Sequence, residues 1–269
     1  MRGNKATART TGPAPARDDT AHPPTRRTLA IIAAGIALVT FCIYLKTLQN
    51  GFLEWDDGTY VTENPHLSTF GPAFLSWAFF GSYAANWHPL TWISHALDYA
   101  VWGLDPRGHH LTNVILHAAN TMLVTVLAVR LADVAAGREG AAGGAGKEQL
   151  IAGAVTGLLF GLHPLHVESV AWVAERKDLL CAFFFLASVL AYLAYGRGTA
   201  SREAAAFPRD RMYLASLGLF FLALLSKPMA VSLPLVLLIL DGYPLRRRNP
   251  RVLVVEKLPF LALSAASSV

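Results

Sequence analysis

The sequence predicts an all-α membrane protein: a polytopic helical bundle of about seven spans, with two interfacial helices in its first outside loop. Three observations carry that reading. The chain is 54% hydrophobic and 15% charged, with positive mean hydropathy, a balance of membrane proteins rather than of soluble domains. Apolar runs recur at Leu29–Leu48, Leu111–Leu131, Leu150–Leu162, Leu179–Tyr195, Met212–Leu225, Met229–Leu240 and from Val252 onward. The basic residues fall in alternate loops. Arg2 to Arg27 precede the first run; Arg130, Arg138 and Lys147 surround the second loop; Arg197 to Arg211 follow the fourth run, and Arg246 to Arg251 the sixth. That is the positive-inside pattern of a multi-pass protein of the inner (plasma) membrane with a cytoplasmic N-terminus. Lys46 and Arg107 are isolated exceptions. The net charge of +5 thus records topology and implies no nucleic-acid partner.

Residues 1–27, rich in Ala, Pro, Thr and Arg, are expected to form a disordered cytoplasmic tail, and 28–269 a membrane domain. The first run is too long for a signal-peptide core and lacks a convincing cleavage site, so it reads as a retained anchor. Only the first two runs comfortably reach the roughly 20 residues a crossing needs; the others cross where the bilayer thins or neighbouring protein shields their ends. Met212 to Leu240 reads as a hairpin broken at Lys227-Pro228, because one continuous helix would carry Arg246 to Arg251 to the outside. The Gly-Ala-rich stretch Ala135–Glu148 is a flexible connector. Cys42 and Cys181 lie inside runs and read as packing residues. The final run contains Glu256 and Lys257 and stops among apolar residues, which reads as a truncation.

In the outside segment from Gln49 to about Gly108, Leu90, Ile93, Leu97 and Val101 recur at helical spacing, as do Phe70, Phe74, Trp77 and Phe80. Trp77, Trp87, Trp92 and Trp102 crowd the same segment, as rings do at the headgroup level. Both helices are therefore expected to lie on the outer membrane face.

Four groups of residues carry candidate chemistry. Asp56 and Asp57 adjoin a span, and each carboxylate raises the cost of ionising the other. One of them is a candidate general base, against the alternative of a turn at Asp57-Gly58. Arg176 and Lys177 sit on the side that disfavours cations, with Lys227 as a third; they suit a phosphate, or else pair with Glu175 and Asp178. His163, His166 and Glu168 match no established metal-ligand spacing, so the metal stays unknown, with a divalent cation left open. His110, Asn113, His117 and Asn120 form one polar stripe that must face the bundle, and His88, Trp92, His95 and Tyr99 form a polar-aromatic face. We take His88, His110, His117, His163, His166 and Glu168 as cavity or substrate-binding candidates. Nucleotide-binding glycine motifs are absent from the sequence, which excludes no donor already resident in the membrane.

The phrases Trp55-Asp-Asp-Gly-Thr-Tyr-Val61, Asn86-Trp-His-Pro-Leu-Thr-Trp92, Gly108-His-His-Leu-Thr-Asn113, His163-Pro-Leu-His-Val-Glu-Ser-Val-Ala-Trp-Val-Ala-Glu-Arg-Lys-Asp178 and Lys227-Pro-Met229 resemble the membrane portion of the transmembrane and tetratricopeptide-repeat family, associated in animals with protein O-mannosylation. The resemblance runs from about Leu29 to the end, and several long phrases in fixed order make it specific. It implies a glycosyltransferase of the C superfamily that moves a sugar from a polyprenyl-phosphate carrier to a protein or glycan acceptor hydroxyl at the outer face, with membrane lipid around it. It also implies an acidic residue in the first outside loop, matched by Asp56 and Asp57. No tetratricopeptide pattern occurs in this chain. The other functional class is a non-catalytic scaffold or lipid-carrier transporter.

Overall fold

A computed structural model describes residues 26–137, 145–199 and 210–267. Of the expected tail all but Arg26 and Arg27, which begin the first helix, lies outside the described residues, as do Arg138 and half of the Gly-Ala connector. Within them the regular structure is helical, as expected, with one isolated bridge between Tyr83 and Asn86.

Three helices among the described residues are long and apolar enough to cross a membrane, which corrects the expected count of seven. The first, α1 (Arg26–Tyr44), runs on through the 3₁₀ turn Leu45–Gln49 to give 24 residues. Two short helices of the following segment are α2 (Pro72–Phe80) and α3 (Pro89–Trp102). The second long helix is α4 (Pro106–Ala135), started by Asp105, whose side chain accepts from Arg107 N. Then come α5 (Lys147–Leu162), the single turn and a half of α6 (His166–Ala171), and the third long helix, α7 (Arg176–Thr199), entered through the 3₁₀ turn Val173–Glu175. The remaining helices are α8 (Arg211–Ser226), α9 (Leu233–Gly242) and α10 (Pro250–Ser267).

Local chemistry explains the shortness of the others. His163-Pro164 closes α5 at 16 residues, and Asp210 starts α8 late by accepting from Met212 N and Tyr213 N. Pro228 disfavours a helical residue before it, and Lys227 is extended at φ −156°. α10 reaches 18 residues but includes Arg251, Glu256 and Lys257.

The hairpin at Lys227-Pro228 is the form the chain takes. Lys227, after α8, pairs with Asp178 at the start of α7, while Asp241, late in α9, bonds Tyr192. Tyr192 lies roughly 20 Å further along α7 at 1.5 Å per residue, so α9 retraces the course of α8.

Polarity is arranged inside out, as a lipid-facing bundle requires. On α3, Thr91, Trp92, His95 and Asp98 are buried, while Leu97, Val101 and Trp102 are exposed. On α4, Asn113, His117, Asn120 and Thr125 are buried and Ile115 and Met122 exposed. Of the apolar stripe read on α3, Leu97 and Val101 point away from protein, while Leu90 and Ile93 are half-buried and Ile93 packs on the core. Trp92 is an exception to the expected headgroup-level rings: it is 1% exposed and joins Tyr60, Phe74, Trp77 and Tyr83 in an aromatic core under the segment between α1 and α4. That core extends to Val173 and Ala174, so α2 and α3 are built onto the bundle.

Close helix approach is visible where α5 meets α4. Gly153, Gly157 and Gly161 share one face at four-residue spacing. A Cβ on Gly157 would stand 2.0 Å from Thr125 Oγ1, and one on Gly153 2.2 Å from Val129 Cγ2. Thr125 is β-branched and its hydroxyl donates to Thr121 O at 2.8 Å, so it cannot swing clear cheaply. Gly157→Leu should therefore lower the thermal unfolding temperature of the reconstituted protein, at a cost of about 1–3 kcal/mol or more. Gly35→Leu, with nothing within 4 Å of its Cβ, is the control and should leave the temperature unchanged.

Candidate functional site

The start of α7 organises one end of the molecule. Arg176 has no solvent exposure. Its Nε donates to Asn113 Oδ1 at 2.8 Å, Nη1 to Ser94 O at 3.2 Å and Nη2 to His109 O at 2.8 Å. Asp98 Oδ2 lies 2.6 Å from Nη2, off the line of its N–H bonds, so that contact is ionic more than a directed hydrogen bond. The Asp98 carboxylate also accepts from Thr112 Oγ1 at 2.8 Å. Arg176 thus joins α3, α4 and α7 and is occupied by protein. The guanidinium read from the sequence as a phosphate ligand has its described contacts with protein, and its ionic partner is Asp98 rather than Glu175 or Asp178.

Asp56 and Asp57, adjacent in sequence, have opposite surroundings. Asp57 is wholly buried: Oδ1 accepts from Ala174 N at 2.7 Å and Oδ2 from Leu53 N at 2.9 Å. It pins the loop that follows α1 to the approach of α7. Asp56 is exposed. Its loop neighbours Phe52, Glu54, Trp55, Thr59, Thr62 and Glu63 line, among others, a cavity of about 460 Å³, of whose lining Asp56 itself is not part. Trp55, 76% exposed, contacts Trp172 edge to face at 5.6 Å.

Behind the loop, charges alternate. Lys177 Nζ lies 2.8 Å from Glu175 Oε1 and 4.8 Å from the centre of the Tyr60 ring. Lys227 pairs with Asp178 and lies 3.9 Å from Glu175 Oε2. Burial, then the Asp56 and Glu175 carboxylates, push the Tyr60 hydroxyl up to about 12, so Asp56 and this charged group act on one ring. Burial, then Lys177 and Lys227, push buried His88 down to about 4, and its Nδ1 has no hydrogen-bond partner. Contacts tie Tyr60, Glu175, Lys177, Asp178 and Lys227 together, with Asp56 acting electrostatically on Tyr60 and the two lysines on His88.

The other candidate histidines do structural work or stand apart. Nε2 of His110 lies 3.4 Å from Gly51 O and Nε2 of His117 lies 3.0 Å from Gly161 O. His166 packs on Phe160 and His117. His163 and Glu168 are exposed, and His163 Nδ1 accepts from Leu165 N. Among the described residues, no hydrogen bond or ion pair links His163, His166 or Glu168 to Asp56 or the lysines, and no group of three His, Cys, Asp or Glu side chains is placed to hold a metal ion.

Sequence reasoning missed a second charged network, at the far end of α7. Asp241, Glu256 and Lys257 are buried. Arg247 reaches Asp241 at 3.0 Å and Glu256 at 2.7 Å, Lys257 reaches Asp241, and Tyr192 OH bonds Asp241 at 2.8 Å. Only the oddity of Glu256-Lys257 inside an apolar run signalled it.

No family model and no solved structure matches the chain. Curated proteins do. The chain is 34% identical over 178 residues to protein O-mannosyl-transferase Tmtc1 of Drosophila melanogaster, covering 63% of this chain and 18% of that protein. It is 34% identical over 214 residues to protein O-mannosyl-transferase Tmtc2 of the same organism, covering 76% and 21%. It is 33% identical over 169 residues to protein O-mannosyl-transferase TMTC2 of Homo sapiens, covering 60% and 18%. The matched portion thus spans about a fifth of the length of these relatives.

Two outcomes follow from the geometry. Arg176→Gln strands Asp98 in the interior and should cost on the order of 3–5 kcal/mol, read by thermal or chemical denaturation. Pairing it with Asp98→Asn should recover part of the loss; an Arg176→Gln protein of unchanged stability would sink the hub assignment. The second outcome concerns His88. Its folded pKa lies below the usual 6.5, so the unfolded chain takes the proton first and stability declines as pH falls from about 6.5 towards 4. His88→Gln should make that decline shallower in a pH series of melting curves.

Proposed function

As a relative, over part of their length, of the transmembrane and tetratricopeptide-repeat O-mannosyl-transferases, this chain is, we propose, the membrane portion of a glycosyltransferase. It moves a sugar, mannose by kinship, from a polyprenyl-phosphate carrier to a hydroxyl of a protein acceptor. The observation that carries the reading is the contrast between the two acids. Asp57 is spent on two backbone amides, while Asp56 beside it is exposed, in a loop whose neighbouring residues Trp55 and Gly58 line an open cavity.

In this reading the acceptor enters through the cavity beside Trp55, whose exposed ring suits stacking on an apolar sugar or peptide face. Asp56 takes the proton of the acceptor hydroxyl as its oxygen attacks the anomeric carbon. The bond from that carbon to the phosphate oxygen breaks on the opposite face, with inversion, and the phosphate leaves with the electron pair. Phosphate is a good leaving group, so no strong general acid is needed.

Stabilising the charge on the departing phosphate falls to cations at the same end. With Arg176 occupied, Lys227 is the foremost candidate, its side chain 22% exposed, and Lys177 the second. Both are held by Glu175 and Asp178, which keeps them placed without a net local charge. The alternating basic loops would set this end at the outer face of the plasma membrane and the N-terminus in the cytoplasm.

The two acids separate in one experiment. Asp56→Asn should reduce transfer of labelled sugar from the lipid carrier by roughly 10²–10⁴-fold with the unfolding temperature intact. Asp57→Asn should lower the unfolding temperature, because an amide cannot accept from both Leu53 N and Ala174 N. Full transfer by a folded Asp56→Asn protein would exclude the base assignment.

A further inference from the structure

We propose that the end of the bundle remote from Asp56 carries a binding site for the phosphate headgroup of an anionic membrane lipid, built by Arg26, Arg130 and Arg197. These arginines come from α1, α4 and α7, the three long apolar helices, and line one cavity of about 360 Å³ with Leu190, Leu193 and Ala194. It is roughly 30 Å from the start of α7, counted along that helix, so it is not the place proposed for the sugar donor.

Three guanidiniums around one space repel one another, and this structure does little to offset them. Among the described residues none of the three has a carboxylate within ion-pair distance. Asp133 is the one acid that acts on Arg130, and the other two arginines act against it; Asp133 itself is buried, with Oδ1 unpartnered. The end of α7 presents carbonyls that favour Arg197 in its last turn, whereas Arg130 lies short of the last turn of α4. Arg26 stands at the start of α1, where the helix dipole opposes it. An anion in the cavity satisfies all three.

The walls decide its source. Leu190, Leu193 and Ala194 form an apolar side, and Ala194 is exposed. A diester headgroup attached to acyl chains uses both surfaces: arginine forks hold the phosphate oxygens and the leucines meet the glycerol and upper chain. Free phosphate would use only the arginines.

The test reconstitutes the chain in nanodiscs of phosphatidylcholine with or without phosphatidylglycerol, and reads unfolding temperature and lipid retained by native mass spectrometry. Phosphatidylglycerol should be retained preferentially and raise the unfolding temperature. The Arg130→Gln/Arg197→Gln protein should lose that preference by roughly fivefold per arginine, while its unfolding temperature in pure phosphatidylcholine is not lower than the parent's, since a repulsion has been relieved. Arg248→Gln/Arg251→Gln, exposed arginines of the same end, should keep the preference. Equal loss in both pairs would show general surface attraction and overturn the site. So would no preference for phosphatidylglycerol in the parent, or an equal stabilisation by inorganic phosphate in neutral discs, which would make the ligand soluble.

Discussion

A guanidinium removed from water has to be matched contact by contact, and the end of the molecule that holds the candidate site is arranged around that requirement at Arg176. Asp98 supplies the opposite charge; Ser94, His109 and Asn113 supply directed acceptors. Those partners come from α3 and α4, so satisfying one side chain sets the mutual positions of three helices. What flanks Arg176 in sequence is then placed as well. Ala174, two residues before it, gives its amide to Asp57, and Glu175, Lys177 and Asp178 are displayed around Lys227. A buried pair of this kind need not add stability over an apolar replacement. Here it selects one arrangement.

The inward polarity of the bundle follows from the same physics. A hydroxyl, amide or imidazole facing hydrocarbon has no water to turn to. On α4, Asn113 and Asn120 donate to carbonyls of the α6–α7 region, and His117 to Gly161. Thr121 and Thr125 solve the problem within their own helix, donating to residues one turn back, which leaves their compact side chains free to lie against the glycines of α5.

Much of this was legible in sequence, and the limits are physical. The helical class, the two helices of the outside segment and the inward stripe from His110 to Asn120 follow from periodicity and from the cost of polar groups in lipid. The hairpin followed from where the arginines fall. Periodicity finds a stripe without saying which way it points, and on α3 the apolar stripe of Leu97 and Val101 faces out while His95 and Asp98 face in. Pairings between distant segments left little trace, so Arg176 was matched with its sequence neighbours and not with Asp98. Adjacent Asp56 and Asp57 are indistinguishable as letters; only the fold shows that one is consumed by amides. The span count failed because it let short runs cross with help from a thinned bilayer, whereas Asp210 and Lys227-Pro228 hold their helices below a crossing length.

The far network has a consequence for biogenesis. Glu256 and Lys257 ride on α10, and an isolated acid or lysine at mid-membrane opposes insertion by roughly 2.5–3.5 kcal/mol on a translocon scale. Their partners, Tyr192 on α7, Asp241 on α9 and Arg247 in the turn between, are all synthesised earlier. α10 is not one of the helices apolar enough to cross alone, and its buried charges are matched only once those earlier helices stand beside it. The order of the genetic message is in this respect also an order of assembly: a permuted chain with α10 ahead of α9 would present Lys257 before Asp241 exists, with the hydroxyl of Tyr192 as its partner from α7.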